Sequence, residues 1–300
     1  MRSCGGPHAA GWQLASCGLP HQRIEDSDYR LIARSLLGQA VAVDGSQCQN
    51  RLRTGERAGS LCEVPICSDA HHAFRCAVGG GVKARSSDVE AVWERIHREC
   101  GYRTERQVHV PAWDRWHWSC PACNRGRHGQ QAPTDACTSC GSPVEAQREE
   151  AILDLEVQGM DRPRMYFDVT VRYCVPGDSD GLKAAAKRDG AVNAKAEGDK
   201  RLRYPAGRTP WRVVPLALET GGRHGKAALD HLRGLARMQV QRGFAGDSSA
   251  GTVTSAVIQR WGAELSVALH RALARQLCTA RAAAGVAAAA VEVLAGDAGA

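Results

Sequence analysis

The hydrophobic positions of the chain change period several times, and each change marks an element. After Ser86 and Ser87, which suit helix N-caps, Val89, Val92, Trp93 and Ile96 fall on one helical stripe that runs to Cys100 and is ended by Gly101. Thr104 to Val110 alternates as a strand and Pro111 stops it. Ala151–Val157 and Arg164–Val171 read as two further strands, and the six residues between them, with Gly159 and Pro163, suit a hairpin turn. An Ala- and Lys-rich helix over Leu182 to Tyr204, interrupted at Gly190 and Gly198, is followed by a mostly apolar strand, Trp211 to Leu218. Such a strand is buried on both faces, and Pro215 places it near an edge or a bulge. Helices over Lys226–Gln241 and Val253–Ala284 follow, the second with Val257, Trp261, Leu265, Leu269, Leu273 and Leu277 on one packing stripe. The order helix, strand, strand, strand, helix, strand gives an α/β fold, a mixed sheet flanked by helices.

Between the first and second strands stand Cys120-Pro-Ala-Cys123 and Cys137-Thr-Ser-Cys140, two short turns separated by thirteen residues. Each presents two thiolates to a shared ion, the pattern of a tetrahedral zinc ribbon, here inserted at 117–143. Trp113, Trp116 and Trp118 are expected to cover its sides, because so small a module has little other core. Upstream, Cys62, Cys67, His72 and Cys76, followed by Gly79, Gly80 and Gly81, form a second zinc candidate over 61–82, with Cys48 or His71 able to replace one ligand. Four thiolates leave no open coordination position, so the ribbon metal is structural rather than hydrolytic. Residues 1–60 mix Gly, Ser, Gln and Arg around one helical patch, Tyr29 to Leu37, and read as a poorly ordered leader. The chain closes with a helix and an Ala-rich tail over 250–300.

Composition narrows the setting. Thirteen cysteines without an N-terminal apolar h-region point to a reducing compartment, and the apolar run Ala282 to Val291 is too short to span a membrane. The net charge is +7, and Lys183 to Arg212 alone holds nine Lys or Arg against three Asp or Glu. Such clustering favours a phosphate backbone, hence DNA, as partner through segment 183–212.

Asp154 and Asp168 each sit among apolar residues in a strand, where an aspartate is costly unless paired, protonated or bound to a cation. If the hairpin brings them together, a divalent ion such as magnesium or manganese relieves their repulsion, lowers the pKa of a bound water and polarises a phosphoryl oxygen. Lys200, with Lys195 in reserve, is the candidate to assist the attacking water.

The segment from Cys62 to about Gly243, roughly three-fifths of the chain, resembles the C-terminal region of site-specific non-LTR retrotransposon proteins. There a zinc knuckle precedes a restriction-like endonuclease of the PD-(D/E)xK superfamily. The resemblance rests on Cys67, His72, Cys76 and the glycine run, the helix after it, Glu105, Asp154, the stretch Asp168-Val169-Thr170-Val171, and the Lys200-x3-Tyr204 pair. It implies a core over 85–245 in which Asp154 and Asp168 bind the metal and a lysine displaced onto the next helix completes the site. Leu153 stands where proline precedes the first aspartate, Thr170 where the usual lysine would be, and Arg85-Ser86-Ser87 in place of an Arg-His-Asn triplet; the ribbon is an addition. No Tyr-x-Asp-Asp sequence of a reverse transcriptase is found. The expectation is a nuclear, retroelement-derived DNA endonuclease module. The alternative is a zinc-stabilised nucleic-acid-binding or interaction protein without catalysis.

Overall fold

The computed structural model describes residues 2–15, 19–42, 46–53, 57–129, 136–159, 162–243 and 250–281. In chain order the elements are α1 (Gly11–Leu14), α2 (Asp26–Leu36), β1 (Ser46–Gln47), β2 (Pro65–Ile66), α3 (His71–Arg75), α4 (Gly81–Glu99) and β3 (Arg103–His109). Then come β4 (Arg115–Cys120), β5 (Arg125–Gly129), β6 (Glu145–Glu149), β7 (Ile152–Gly159) and β8 (Arg162–Arg172). The chain continues through α5 (Ser179–Lys187), α6 (Ala191–Arg203), β9 (Arg212–Glu219), α7 (Lys226–Gly243) and α8 (Ala250–Arg281).

The main sheet has the order β3-β7-β8-β9. β3 and β8 both run antiparallel to β7, while β9 runs parallel to β8, so the sheet is mixed. The parallel pair is reached through α5 and α6, as a parallel connection requires a crossover. Pro215 lies on β9, the sheet edge, where a missing N–H costs no ladder bond. The alternating apolar residues Leu155, Val157, Phe167 and Val169 are buried in one core with Val89, Trp93 and Ile96 of α4. On α8 the stripe Trp261, Leu265, Leu269, Leu273 and Leu277 is fully or almost fully buried, and the helix packs against α1, α2, α4 and α7. No described helix is long and apolar enough to cross a membrane.

Four sequence expectations change on folding. α4 begins at Gly81 rather than after Ser86 and Ser87, because Gly79 and Gly80 take left-handed backbone (φ 78° and 73°) and start the helix earlier. The serines lie inside it. The helical stretch expected over Leu182–Tyr204, with interruptions at Gly190 and Gly198, breaks only at the first: Asp178 caps α5 by accepting from the Gly181 N–H at 2.6 Å, Gly190 (φ 67°) makes the joint, and Gly198 stays helical. Trp113 does not cover the ribbon. It is buried in a second apolar cluster and meets Tyr166 and Tyr204 edge-on at 5.8 Å each. The ribbon itself, a three-stranded sheet β5-β4-β6, occupies the connection between β3 and β7, and residues 130–135 of its turn lie outside the described set.

The fourth change concerns the first sixty residues, expected as a poorly ordered leader. Trp12 and Ile32 join the main core, Trp12 stacks on His270 at 4.9 Å, and its N–H donates to Ser266 Oγ at 3.1 Å. Gln22 reaches Glu264 at 3.0 Å. The physical reason is α8, whose apolar surface is wider than α4 and α7 can cover. A few well-placed residues from a polar segment complete the burial. The Ala-rich tail beyond residue 281 lies outside the described residues.

Candidate functional site

Two sulfur-rich clusters fit a metal. In the ribbon, Cys120 ends β4, Cys123 lies in the following turn, and Cys137 and Cys140 come from the second turn. Their sulfurs lie 3.5 Å (Cys120 to Cys140) and 3.7 Å (Cys123 to Cys137) apart. A disulfide needs about 2.05 Å. Four thiolates about 2.3 Å from one zinc ion would be spaced by a tetrahedral edge of about 3.8 Å. The four thiols hold their protons unequally: bonds from the Ser142 side chain and backbone bring Cys140 down to about 6, while desolvation and the bonds to Cys120 and Cys137 push Cys123 up to about 12.

The second cluster joins Cys48, Cys62, His72 and Cys76. Cys76 lies 3.8 Å from both Cys48 and Cys62, and Cys62 Sγ is 3.4 Å from His72 Nε2, again close to zinc-ligand edges. Cys67, expected as a ligand, is exposed and outside the cluster. The small β1–β2 ladder explains the exchange. Pairing Ser46 with Ile66 and Gln47 with Pro65 lays Cys48 beside the Glu63–Val64 backbone, next to Cys62, while Cys67 passes beyond the end of the pairing. Both donor sets match structural zinc in atom type and spacing.

The acidic pair lies at a fork in the main sheet. β7 and β8 pair at Leu155–Phe167, Glu156–Tyr166, Val157–Met165 and Gly159–Arg162. Below that, β7 continues only with β3 and β8 only with β9. Asp154 and Asp168 are the first residues past the last shared pair, one on each arm. There the Val169 N–H donates to Asp154 Oδ2 at 2.6 Å, replacing a ladder bond. Lys200, projecting from α6, contacts both oxygens of Asp168, at 2.7 and 2.8 Å. Lys195 instead lies 3.6 Å from Asp178 at the start of α5. Of the two lysines, Lys200 faces the fork.

Two groups absent from the sequence reading complete the arrangement. Glu90 of α4, buried, is held by Arg106 at 3.0 Å. Gln107, in left-handed backbone (φ 54°), directs its amide N–H groups to Asp154 Oδ1 at 3.2 Å and Glu90 Oε2 at 3.4 Å. That turn of the strand allows the consecutive residues Arg106 and Gln107 to reach the same carboxylate, which regular alternation forbids. Glu90 had a readable signal, a carboxylate on the stripe of Val89, Val92 and Trp93. Glu105, matched by the resemblance, is exposed on β3 and takes no part.

Burial, followed by the charges of Asp168 and Glu90, pushes the Asp154 carboxyl up to about 7, against the opposing pull of the Val169 N–H and Lys200. The fork opens into a cleft of about 530 Å³ whose rim includes Arg75, Lys83 and Tyr204. A half-protonated carboxylate beside a second carboxylate, open to solvent under a basic rim, can take up a hard cation or exchange a proton near neutrality. Among the described residues, however, only the two sulfur clusters bring three or more such ligand groups within 4.8 Å of one another, so Glu90 stands back from the aspartates.

Comparison with known proteins adds no identity: no protein-family model, no curated protein and no solved structure matches the chain.

Proposed function

We propose that the fork is the active site of a magnesium- or manganese-dependent nuclease of the restriction-like, PD-(D/E)xK type, acting on DNA. The observation that carries this is the placement of Asp154 and Asp168 on the two arms of one sheet fork, with Lys200 on Asp168. When bound, a divalent ion supplies Lewis acidity toward a phosphoryl oxygen and a water of lowered pKa. Asp154 and Asp168 would hold it; burial, followed by the charges of Asp168 and Glu90, raises the Asp154 carboxyl, and such a cation would offset these effects. Lys200 positions Asp168 and places an ammonium where charge develops on the phosphate. Gln107 and Arg106 fix Glu90 and Asp154, so the acids are oriented before substrate arrives. Loaded with metal, the upstream cluster would brace α3 and the glycine run beside this centre, and the second would hold the ribbon together between β3 and β7. Retroelement ancestry and a nuclear site of action belong to the same reading.

Supercoiled plasmid incubated with the zinc-loaded protein tests it. Nicking in magnesium or manganese, abolished by Asp168→Asn with DNA retention unchanged in a mobility-shift assay, is the expected outcome. Nicking that survives both Asp168→Asn and Asp154→Asn removes the fork from the chemistry.

A second reading, a zinc-stabilised nucleic-acid-binding protein without catalysis, is favoured by one specific observation. Lys200 already occupies both Asp168 oxygens and Arg106 engages Glu90, a set of acids satisfied without a cation. It predicts DNA retention and no nicking under any divalent ion.

A further inference from the structure

Gly79, Gly80 and Gly81 separate two depressions. Gly80 lines the acidic cleft. Gly79 and Gly81 line a different cavity, about 220 Å³, together with Asn50, Arg53, Arg85 and Arg275. Among the described residues no carboxylate lines it. Arg275 pairs with Asp88 outside the lining, and the Arg53 guanidinium stands over Gly80, 3.3 Å from where a Cβ would be. A side chain at position 80 would displace that arginine.

The buried donors lining this cavity are incompletely used. Asn50 is 4% exposed and its Nδ2 has no partner. Arg85 is 2% exposed. Its two terminal nitrogens bond to the carbonyls of Phe74 and Val171 and to Gln276 Oε1, at 2.9 to 3.0 Å, which leaves its Nε without a partner. A buried donor without an acceptor costs about 1–3 kcal/mol. Two on residues that line one cavity are the reason to look for an acceptor there. The first turn of α4, a nineteen-residue helix, opens beside them with no side-chain cap and no acidic residue. The positive dipole end of the helix adds to the same preference.

We propose that this cavity is a phosphate site, in which the amide of Asn50 and the guanidinium groups of Arg53 and Arg85 bind the oxygens of one phosphate group. The phosphate is that of a nucleic-acid backbone lying across the glycine run from the fork. This choice of occupant rests on the nuclease reading; the phosphate site itself does not.

The test uses the full zinc-loaded chain and two variants. Asn50→Leu removes the buried donor and fills space. Arg53→Gln alters an exposed side chain and keeps the fold, so it carries the test if Asn50→Leu misfolds. Inorganic phosphate is titrated against chloride of equal ionic strength and followed by thermal shift. The wild type is expected to gain stability specifically with phosphate, Asn50→Leu to lose the gain, and Arg53→Gln to lose at least half of it. A labelled DNA duplex is then titrated by anisotropy between about 50 and 200 mM salt; Arg53→Gln is expected to weaken binding several-fold and to reduce the salt slope by about one. An equal phosphate response in all three proteins overturns the site. Loss of that response with unchanged duplex affinity and slope overturns the nucleic-acid occupant and assigns the cavity to free phosphate. Both readouts are of binding, so a failure to nick plasmid refutes the nuclease reading and leaves the phosphate site to be decided by the two titrations.

Discussion

Replacing Asp154 by asparagine tests the electrostatics of the fork without removing an atom of shape. In the folded protein the Asp154 carboxyl lies near 7, against 3.8 for an ordinary aspartate. Between these values the folded state keeps a proton that the unfolded chain has released, so stability falls as pH rises through the window and the full penalty applies above it. Roughly three units at about 1.4 kcal/mol each set an upper bound near 4 kcal/mol. Partial exposure lowers it. Asparagine carries no charge and still accepts from the Val169 N–H, but Gln107 must then present its carbonyl to the new amide and give up its contact with Glu90. That rearrangement costs about 1 kcal/mol. The variant is therefore expected to be more stable than wild type by about 1–3 kcal/mol near pH 8, and to lose this advantage near pH 4. Urea unfolding in magnesium-free buffer across that range measures it; guanidinium, a salt, would screen the charges under test. Magnesium should then raise the midpoint of the wild type at pH 8 and leave the variant nearly unmoved. A variant no more stable than wild type at pH 8 would refute the raised Asp154 carboxyl, and with it the burial and repulsion argued for the fork.

Three further outcomes follow from the same geometry. Elemental analysis should find two zinc ions per chain; Cys48→Ser and Cys137→Ser should each lose one, and Cys67→Ser should lose none. Lys200→Met should destabilise the metal-free protein by about 2–3 kcal/mol, since it strands Asp168, only 5% exposed, without its cation. In a double-mutant cycle with Asp168→Asn that loss should largely disappear. Trp12→Ala should cost about 3–5 kcal/mol in urea unfolding, the range for a buried aromatic, whereas a loose leader would give almost none.

The strands and the zinc ribbon were legible because their signals are local. Alternation over Arg164–Val171 and the paired Cys-x2-Cys turns depend on neighbours within a few residues. The fork was not, because it depends on where the β7–β8 ladder stops, a matter of pairing rather than pattern. The replacement of Cys67 by Cys48 has the same origin, since the β1–β2 ladder decides which thiols meet. Charge shows the difference most clearly. The cationic run over 183–212 looks like one phosphate-gripping face. In the fold five of its nine members pair with a carboxylate: Lys200 with Asp168 and Arg203 with Glu149 are the more buried, while Lys183 with Asp180, Lys195 with Asp178 and Arg201 with Glu197 keep the cation mostly exposed. Arg53, Arg85 and Arg275, scattered along the chain, form no cluster in sequence, yet they line one cavity that has no carboxylate among its described lining residues, with Asp88 on Arg275 outside it. Local excess of charge therefore does not reveal the pairing within the first group and misses the second. Affinity for a phosphate backbone follows the cations left available after folding, which directs the search for DNA contacts toward the glycine run as well as toward α5 and α6.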